Sequence, residues 1–179
     1  MICVIAKLPP DAVERLSILK EAAVSKKPLM HSIYGHITIA TYLPDDDAEF
    51  LQACSGIIRK TPSFSVRYEK LEVLPETSIV VATPSKSTVL LDLHNRIAEK
   101  YSGSLDRWTC GNEWYPHTTL LYDPGADLND LCRNMQQHFS PFEAWITQVE
   151  FSKVEETGYT ILETIDLKPS LSIDDDISR

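Results

Sequence analysis

Two short stretches of the chain read YGHITI (residues 34–39) and YPHTTL (residues 115–120). Each has the pattern Tyr-x-His-x-Thr followed by an aliphatic residue, and the β-branched and aromatic content favours a β-strand. Side chains alternate across a strand, so His36 and Thr38 should share one face while the isoleucines between and after them enter the opposite layer. The same argument places His117 and Thr119 on one face of a second strand.

The segments around the two motifs repeat as well. Each motif strand follows an apolar run, a break and a helical pattern, and it precedes a second helix, a Pro-containing break and a further strand. SIVVATP (78–84) closes the first copy and opens the second, PFEAWITQVEFSKV (141–154) forms one late strand, and YTILETIDL (159–167) closes the second copy. We therefore expect an α+β fold of two pseudo-two-fold-related lobes, each a mainly antiparallel sheet with helices outside.

The domain limits follow from this repeat. No linker rich in Gly or Ser separates the copies, so we expect a single bilobal domain over residues 1–168, with lobes mixing about 1–78 and 79–168. Residues 169–179 are polar and acidic and are expected to form a disordered tail.

Composition narrows the class of protein. The chain has 179 residues, of which 43% are hydrophobic, and it has no apolar run long enough for a membrane helix. The opening residues MICVIAKL lack a signal-peptide pattern, so a cytoplasmic protein is expected. The four cysteines form no C-x-x-C pair, and no His-x-His or His-Glu-x-x-His spacing is present. We expect no disulfide scaffold, no catalytic metal and no cofactor.

The charge argues against one class of partner. The formal net charge is −9 and the acidic tail accounts for only part of it, so binding to duplex DNA or long duplex RNA is not expected. A small nucleotide or an RNA end remains compatible, because a local site can be positive on an acidic protein. We expect a monomer.

Two imidazoles on opposite sides of a groove suit phosphodiester chemistry. Cleavage of such an ester needs a base that activates the attacking oxygen and an acid that protonates the leaving oxygen, and histidine titrates near neutrality. The hydroxyls of Thr38 and Thr119 can donate hydrogen bonds to the non-bridging phosphate oxygens. Two complete His-Thr pairs therefore predict metal-independent acid–base catalysis by His36 and His117.

The duplicated His-x-Thr-hydrophobic pattern, carried by HITI and HTTL, resembles the 2H phosphoesterase superfamily, whose bacterial members include 2′-5′ RNA ligase-like and RNA 2′,3′-cyclic phosphodiesterase proteins. The resemblance covers about residues 1 to 168. It implies a bilobal fold with His36, Thr38, His117 and Thr119 in a central cleft, and activity on a 2′,3′-cyclic phosphate, a 2′-5′ linkage or a related cyclic nucleotide. Ligase-like relatives often carry a basic residue shortly after the second motif. Here Leu120 is followed by Leu-Tyr-Asp-Pro, which implies weaker binding of a long RNA end.

Four aromatic residues are further candidates for the substrate site. Tyr34 and Tyr115 stand two residues before each histidine and should share its face, where they can stack on a base or pack on the sheet. Tyr42 should lie on the His36 side at the far end of its strand. Trp114 either lines the rim of the cleft or packs beneath a loop.

Two other functions remain open from the sequence. The chain can be a protein that binds a nucleotide or an RNA end in the same cleft without turnover, or a structural interaction domain. Two symmetric imidazoles favour the enzyme, because binding alone does not need both of them.

Overall fold

The computed structural model describes residues 1–22, 35–44, 46–85, 87–101 and 114–170. The described part of the chain folds into two four-stranded antiparallel sheets and four helices, which confirms the predicted α+β class. All but the first two residues of the predicted acidic tail, 169–179, lie outside these ranges. None of the described helices is long and apolar enough to cross a membrane.

The elements follow the predicted order of strand, helix, motif strand, helix and strand, twice over. In chain order they are β1 (Ile2–Lys7), α1 (Pro10–Ala22), β2 (His36–Tyr42), α2 (Asp47–Ile58), β3 (Phe64–Val73), β4 (Ile79–Pro84), α3 (Thr88–Lys100), β5 (Thr118–Tyr122), α4 (Leu128–Gln136), β6 (Phe142–Ile146), β7 (Gln148–Glu155) and β8 (Gly158–Asp166).

Polar caps start three of the helices. Asp46 accepts hydrogen bonds from the backbone N–H groups of the first turn of α2, and Asp127 does the same for α4. Ser87 caps α3. These side chains satisfy donors that have no partner within the helix, and the two aspartates also favour the positive end of the helix dipole.

Each sheet combines strands from both copies of the repeat. One sheet has the order β2-β1-β7-β8, and the other has the order β5-β4-β3-β6. In each sheet the opening strand lies between the motif strand of its own copy and a late strand of the other copy, so that β1 pairs with β2 and β7, and β4 pairs with β5 and β3. This exchange ties the two lobes together through backbone hydrogen bonds.

The segment 141–154, predicted as one strand, is divided between the two sheets. β6 pairs with β3, and after Thr147 the chain continues as β7, which pairs with β1 and β8. β6 alternates between buried and exposed residues as an edge strand does, whereas β7 is central and buries four consecutive residues. No Gly or Pro marks the change of sheet, which is why the sequence pattern did not reveal it.

The hydrophobic core lies between the sheets and the helices that cover them. Leu16 and Leu19 of α1 and Leu90, Leu93 and Ile97 of α3 are buried, as their predicted stripes require. The larger cost of disturbing the fold therefore lies in these layers rather than at the motif faces.

Candidate active site

The first motif presents its histidine and threonine on one face of β2. Ile37 and Ile39 are fully buried in the core, while His36 and Thr38 are half-buried, so the predicted alternation is present. On the neighbouring strand β1, Lys7 is paired with His36, and Ile5 with Thr38. Directly paired residues in a sheet share a face, so Lys7 stands beside His36 on the motif side.

The second motif has the same arrangement at the start of β5. His117 immediately precedes the strand and is half-buried, as is Thr119, whereas Thr118 and Leu120 are buried. Thr119 is paired with Val81 of β4. The two motifs thus have the same pattern of buried and accessible side chains.

Direct hydrogen bonds join the two motifs. The Thr118 hydroxyl donates to the His36 carbonyl oxygen at 2.9 Å, and the Trp114 indole N–H donates to the Thr38 carbonyl oxygen at 3.1 Å. Because the single Thr118 proton is engaged in this way, the Tyr68 hydroxyl, 2.6 Å away, donates to Thr118. His36 of β2 and His117, which directly precedes β5, are 81 positions apart in sequence and therefore belong to two segments that are in contact.

A one-residue register shift follows the threonine of each motif. β1 and β2 change register between Val4 and Ile5, leaving Ile39 as the extra residue, and β4 and β5 change register at Leu120. An extra residue of this kind reverses which face the following side chains occupy. The shift is a shared property of the two motifs, and the His-x-Thr pattern alone does not predict it.

The placement of Tyr42 on the His36 side was wrong. The register shift at Ile39 pairs Tyr42 with Ile2, whose side chain lies in the core, and Tyr42 is 0% exposed. Its ring packs 4.6 Å from the ring of Phe50 and 5.9 Å from that of Tyr101. Tyr42 is a core residue, and no surface of it is accessible to a substrate.

Of the two predicted places for Trp114, the rim of the cleft and a packed position, the structure shows the packed one. Its side chain is 8% exposed and stacks on His94 of α3, with the ring centroids 3.9 Å apart and the planes within 3°. His94 in turn donates from Nδ1 to the carbonyl oxygen of Ile39 at 2.7 Å. The two rings therefore hold the backbone of the first motif at Thr38 and at the extra residue.

The geometry fixes the tautomer of neutral His117. Its Nδ1 lies 2.7 Å from the carbonyl oxygen of Tyr115, which can only accept, so Nδ1 carries the proton and the lone pair lies on Nε2. Burial lowers the pKa of His117, and the bond to Tyr115 and the charge of Glu72 offset this effect only in part. His117 is therefore neutral at neutral pH, with Nε2 able to accept a proton.

Tyr115 lies beside His117, in a segment that is neither a helix nor a strand. It is half-buried, and its ring lies 6.5 Å from the imidazole. Its hydroxyl donates to Glu72. Tyr34, the matching residue of the first motif, lies outside the described residues.

Glu72 of β3 is a site residue that sequence reasoning missed. Besides Tyr115, its carboxylate accepts from the Thr83 hydroxyl at 2.5 Å and from Lys70 Nζ at 2.9 Å. Burial alone would raise the pKa of Glu72, but these hydrogen bonds and the charge of Lys70 outweigh it and hold the pKa below its ordinary value. Glu72 is therefore ionised at neutral pH.

Lys7 and Glu150 are two further site residues that sequence reasoning missed. Lys7 Nζ lies 3.1 Å from Glu150 Oε1, and the two side chains are 37% and 1% exposed. Glu150 of β7 pairs with Ile5, which pairs with Thr38, just as Glu72 pairs with Val81, which pairs with Thr119. Only cross-strand register brings these residues to the motifs, and no local sequence signal marks them.

Metal-ligand clusters were sought on the same faces. Within the described ranges, no group of three or more His, Cys, Asp or Glu side chains is arranged to hold a metal ion.

Comparison with known proteins identifies the family. A family model described as the 2′-5′ RNA ligase superfamily matches residues 8–158. No match is found among curated proteins.

Solved structures show the same fold. TT0787 of Thermus thermophilus superposes with a TM-score of 0.69 and 17% identity, covering 95% of this chain and 99% of that one. E. coli LigT complexed with NADP+ gives a TM-score of 0.66 and 17% identity over 93% of this chain and 96% of that one. Kluyveromyces marxianus Usb1 with uridine monophosphate gives 0.51 and 14% over 93% and 98%. The chain belongs to the 2′-5′ RNA ligase superfamily, a family of 2H phosphoesterases.

Proposed function

We propose that this protein is a metal-independent phosphodiesterase in which His36 and His117 form the acid–base pair and Thr38 and Thr119 bind the phosphate. The substrate class is a 2′,3′-cyclic phosphate, a 2′-5′ linkage or a related cyclic nucleotide or RNA end. The observation that carries the proposal is the contact between the two motifs through Thr118 and the His36 carbonyl. Two His-Thr pairs on touching strands, each with its side chains half-buried, are suited to act on one phosphorus centre.

Each group has one task in the hydrolysis of a cyclic phosphate. One neutral imidazole removes a proton from water as the water oxygen bonds to phosphorus. The bond from phosphorus to the leaving ribose oxygen breaks, and the other histidine, protonated, gives its proton to that oxygen. The threonine hydroxyls donate to the non-bridging oxygens, whose negative charge grows in the transition state. The lowered pKa of His117 and its Nδ1–H tautomer suit it to take up a proton on Nε2.

The charge of the site supports a small anionic substrate. The whole chain carries −9, which disfavours a long polyanion, while Lys7, although ion-paired with Glu150, places an ammonium group on the face of His36. Among the structural neighbours, E. coli LigT has been crystallised with 3′-AMP, ATP, NADP+ and phosphate. Small nucleotides are therefore the first substrates to test.

The test is turnover of 2′,3′-cyclic AMP and of 2′-5′-linked dinucleotides in the presence of EDTA. We expect turnover by the parent protein, and a loss of at least about 100-fold for His36→Ala and for His117→Ala, because each proton transfer contributes roughly 10²- to 10⁴-fold. The matched control is His138→Ala, since His138 is an exposed histidine beyond the end of α4. It should keep the parental rate.

Two results would contradict the proposal. Turnover that EDTA abolishes would show that the chemistry needs a metal ion. Tight binding of these nucleotides with no turnover by the parent protein would instead favour the nucleotide-binding protein that the sequence also allows.

A further inference from the structure

A chain of three hydrogen-bonded groups leads from the middle of one sheet to His117. The Glu72 carboxylate accepts from the Tyr115 hydroxyl, and the Tyr115 carbonyl oxygen accepts from His117 Nδ1 at 2.7 Å. We propose that Glu72 is a positioning residue that holds His117, through Tyr115, in the orientation needed for proton transfer. The proposal rests on the proposed function for its effect on catalysis, but its structural part can be tested without turnover.

His117 needs support of this kind because of where it stands. Residues 114–117 are in neither a helix nor a strand, and β5 begins only at Thr118. Ladder hydrogen bonds therefore do not fix the ring, and side-chain contacts must do so. Trp114 anchors one end of this segment on Thr38 and His94, and Tyr115 anchors its middle on Glu72.

Glu72 is itself held firmly. It lies on β3, which pairs with β4 along this stretch, and its carboxylate also accepts from Thr83 of β4 and from Lys70 of its own strand. A carboxylate with donors from β3, β4 and the Tyr115 segment is a fixed point to which a tyrosine outside the strands can be tied. The link is thus from a rigid sheet to the ring of His117 through one side chain and one carbonyl group.

Glu72 also acts on His117 through its charge. A nearby carboxylate favours the imidazolium, and Glu72 raises the pKa of His117 against the larger effect of burial. The other titratable groups that act on Glu72 are Lys70 and Tyr115. Glu72 also lines a cleft that Cys132 and Arg133 of α4 border. From β2, His36 is joined through its carbonyl to Thr118, next to His117. Neutralising Glu72 should therefore lower the pKa of His117 further.

Two variants separate the tether from the charge. Glu72→Gln keeps the shape and the acceptor oxygen but removes the charge. Tyr115→Phe keeps the charge of Glu72, its bonds to Thr83 and Lys70, and the carbonyl that His117 uses, but it cuts the tether. Glu69→Gln is the matched control, because Glu69 is on the same strand, is exposed and forms a long ion pair of 3.9 Å with Arg67.

The first measurement is an NMR titration of His117 in the substrate-free protein, which does not depend on activity. We expect Glu72→Gln to lower the pKa of His117 relative to the parent and to Glu69→Gln, while Tyr115→Phe leaves it near the parental value. An unchanged pKa in a folded Glu72→Gln protein would overturn the electrostatic part of the proposal, even if the parent proves to have no phosphodiesterase activity.

The second measurement is kcat and KM for 2′,3′-cyclic AMP as a function of pH. We expect kcat to fall about tenfold or more in Tyr115→Phe with little change in KM, since misplacement of a catalytic group by about 1 Å can cost 100-fold. In Glu72→Gln the limb of the pH profile that belongs to His117 should also move to lower pH. A purely structural role would lower the melting temperature but leave kcat of the folded fraction and the pH profile unchanged, and this result in Tyr115→Phe would overturn the proposal.

Discussion

A glutamate stands at the same place in each of the two sheets, two strands away from the threonine of the motif. In the sheet of the first motif, Glu150 is 1% exposed and forms an ion pair with Lys7, which stands beside His36. In the sheet of the second motif, Glu72 is more accessible and accepts hydrogen bonds from Thr83, Lys70 and Tyr115. The frame is duplicated, but the groups that meet each carboxylate are different.

This difference shows how a duplicated scaffold can give its two histidines unequal surroundings. His36 has a lysine as its cross-strand neighbour, whereas His117 has a tyrosine beside it that is tied to a carboxylate. At His117 the charge of Glu72 offsets part of the effect of burial, which still leaves the pKa of His117 below its ordinary value. Acid–base chemistry needs two groups in different protonation states, and unequal support is one way to provide them.

The largest expected effect tests whether the two motifs are equivalent in catalysis. Thr38→Val and Thr119→Val each remove one of the proposed donors to the phosphate, and we expect each to lower kcat/KM about 100-fold, the cost of removing one preorganised donor to a developing oxyanion. Steady-state kinetics with 2′,3′-cyclic AMP measure the effect.

Thr160→Val is the matched control for these variants. Thr160 is an exposed threonine on β8, and valine suits a strand equally well. A loss at only one of Thr38 and Thr119 would mean that the threonines differ in role as much as the glutamates differ in contacts.

The next effect separates the ion pair in the first sheet from the substrate site. Lys7→Met removes the Lys7 cation from the buried carboxylate of Glu150, and we expect the free energy of unfolding to fall by about 1–3 kcal/mol, less than for a fully buried pair because Lys7 is partly exposed. We expect KM to rise about tenfold as well, the loss that corresponds to about 1.4 kcal/mol of binding free energy. Chemical denaturation and steady-state kinetics measure the two effects.

The double variant Lys7→Met/Glu150→Gln decides between structure and binding. It should recover most of the stability, because the carboxylate charge that Lys7 balances is removed as well, but it should keep the raised KM. In the second sheet, Lys70→Met should cost only about 0.5 kcal/mol, since Lys70 is exposed and Glu72 keeps Thr83 and Tyr115. Equal destabilisation by Lys7→Met and Lys70→Met would remove the proposed distinction between the sheets.

Local patterns predicted the repeat, the helix stripes and the common face of His36 and Thr38, because these depend only on the period of the side chains along one element. Tyr42 shows the limit of such patterns. Its face depends on an extra residue at Ile39, which is defined by pairing with β1, and the sequence of β2 gives no sign of it.

The residues around the motifs could not be predicted because they come from other strands. Glu72, Glu150 and Lys7 reach the motif faces through cross-strand register, and that register requires knowing which strands are neighbours. The repeat predicts lobes that mix the two copies, but it does not say that β7 leaves the sheet of β6 at Thr147. The placement of residues along one strand was predictable, and their placement across strands was not.

A smaller effect concerns the contact that joins the lobes. Trp114→Phe keeps an aromatic ring that can stack on His94 but removes the indole N–H that donates to the Thr38 carbonyl. We expect the free energy of unfolding to fall by about 1 kcal/mol, the usual net worth of such a bond. Trp145→Phe, at an exposed position on β6, should have less effect. If the Trp114→Phe and Trp145→Phe proteins are equally stable, the bond to Thr38 does not hold the motifs together.

The smallest expected effect compares a core histidine with one at the surface. Burial lowers the pKa of His94, so the unfolded chain, whose histidines titrate near about 6.5, takes up its proton first as the pH falls. The contribution of His94 to stability is therefore complete above about pH 6.5 and is lost progressively below it. His94→Gln should flatten the fall of unfolding free energy between about pH 7 and pH 5, and His138→Gln, at an exposed position, is measured alongside it by the same denaturation series. The slopes are to be compared rather than the absolute stabilities, because His94→Gln also loses the stacking on Trp114. The range between about pH 7 and pH 5 lies above the range in which Glu72 takes up a proton. A slope that survives in His94→Gln therefore belongs to other histidines. His117 is the first to examine, because burial lowers its pKa as well.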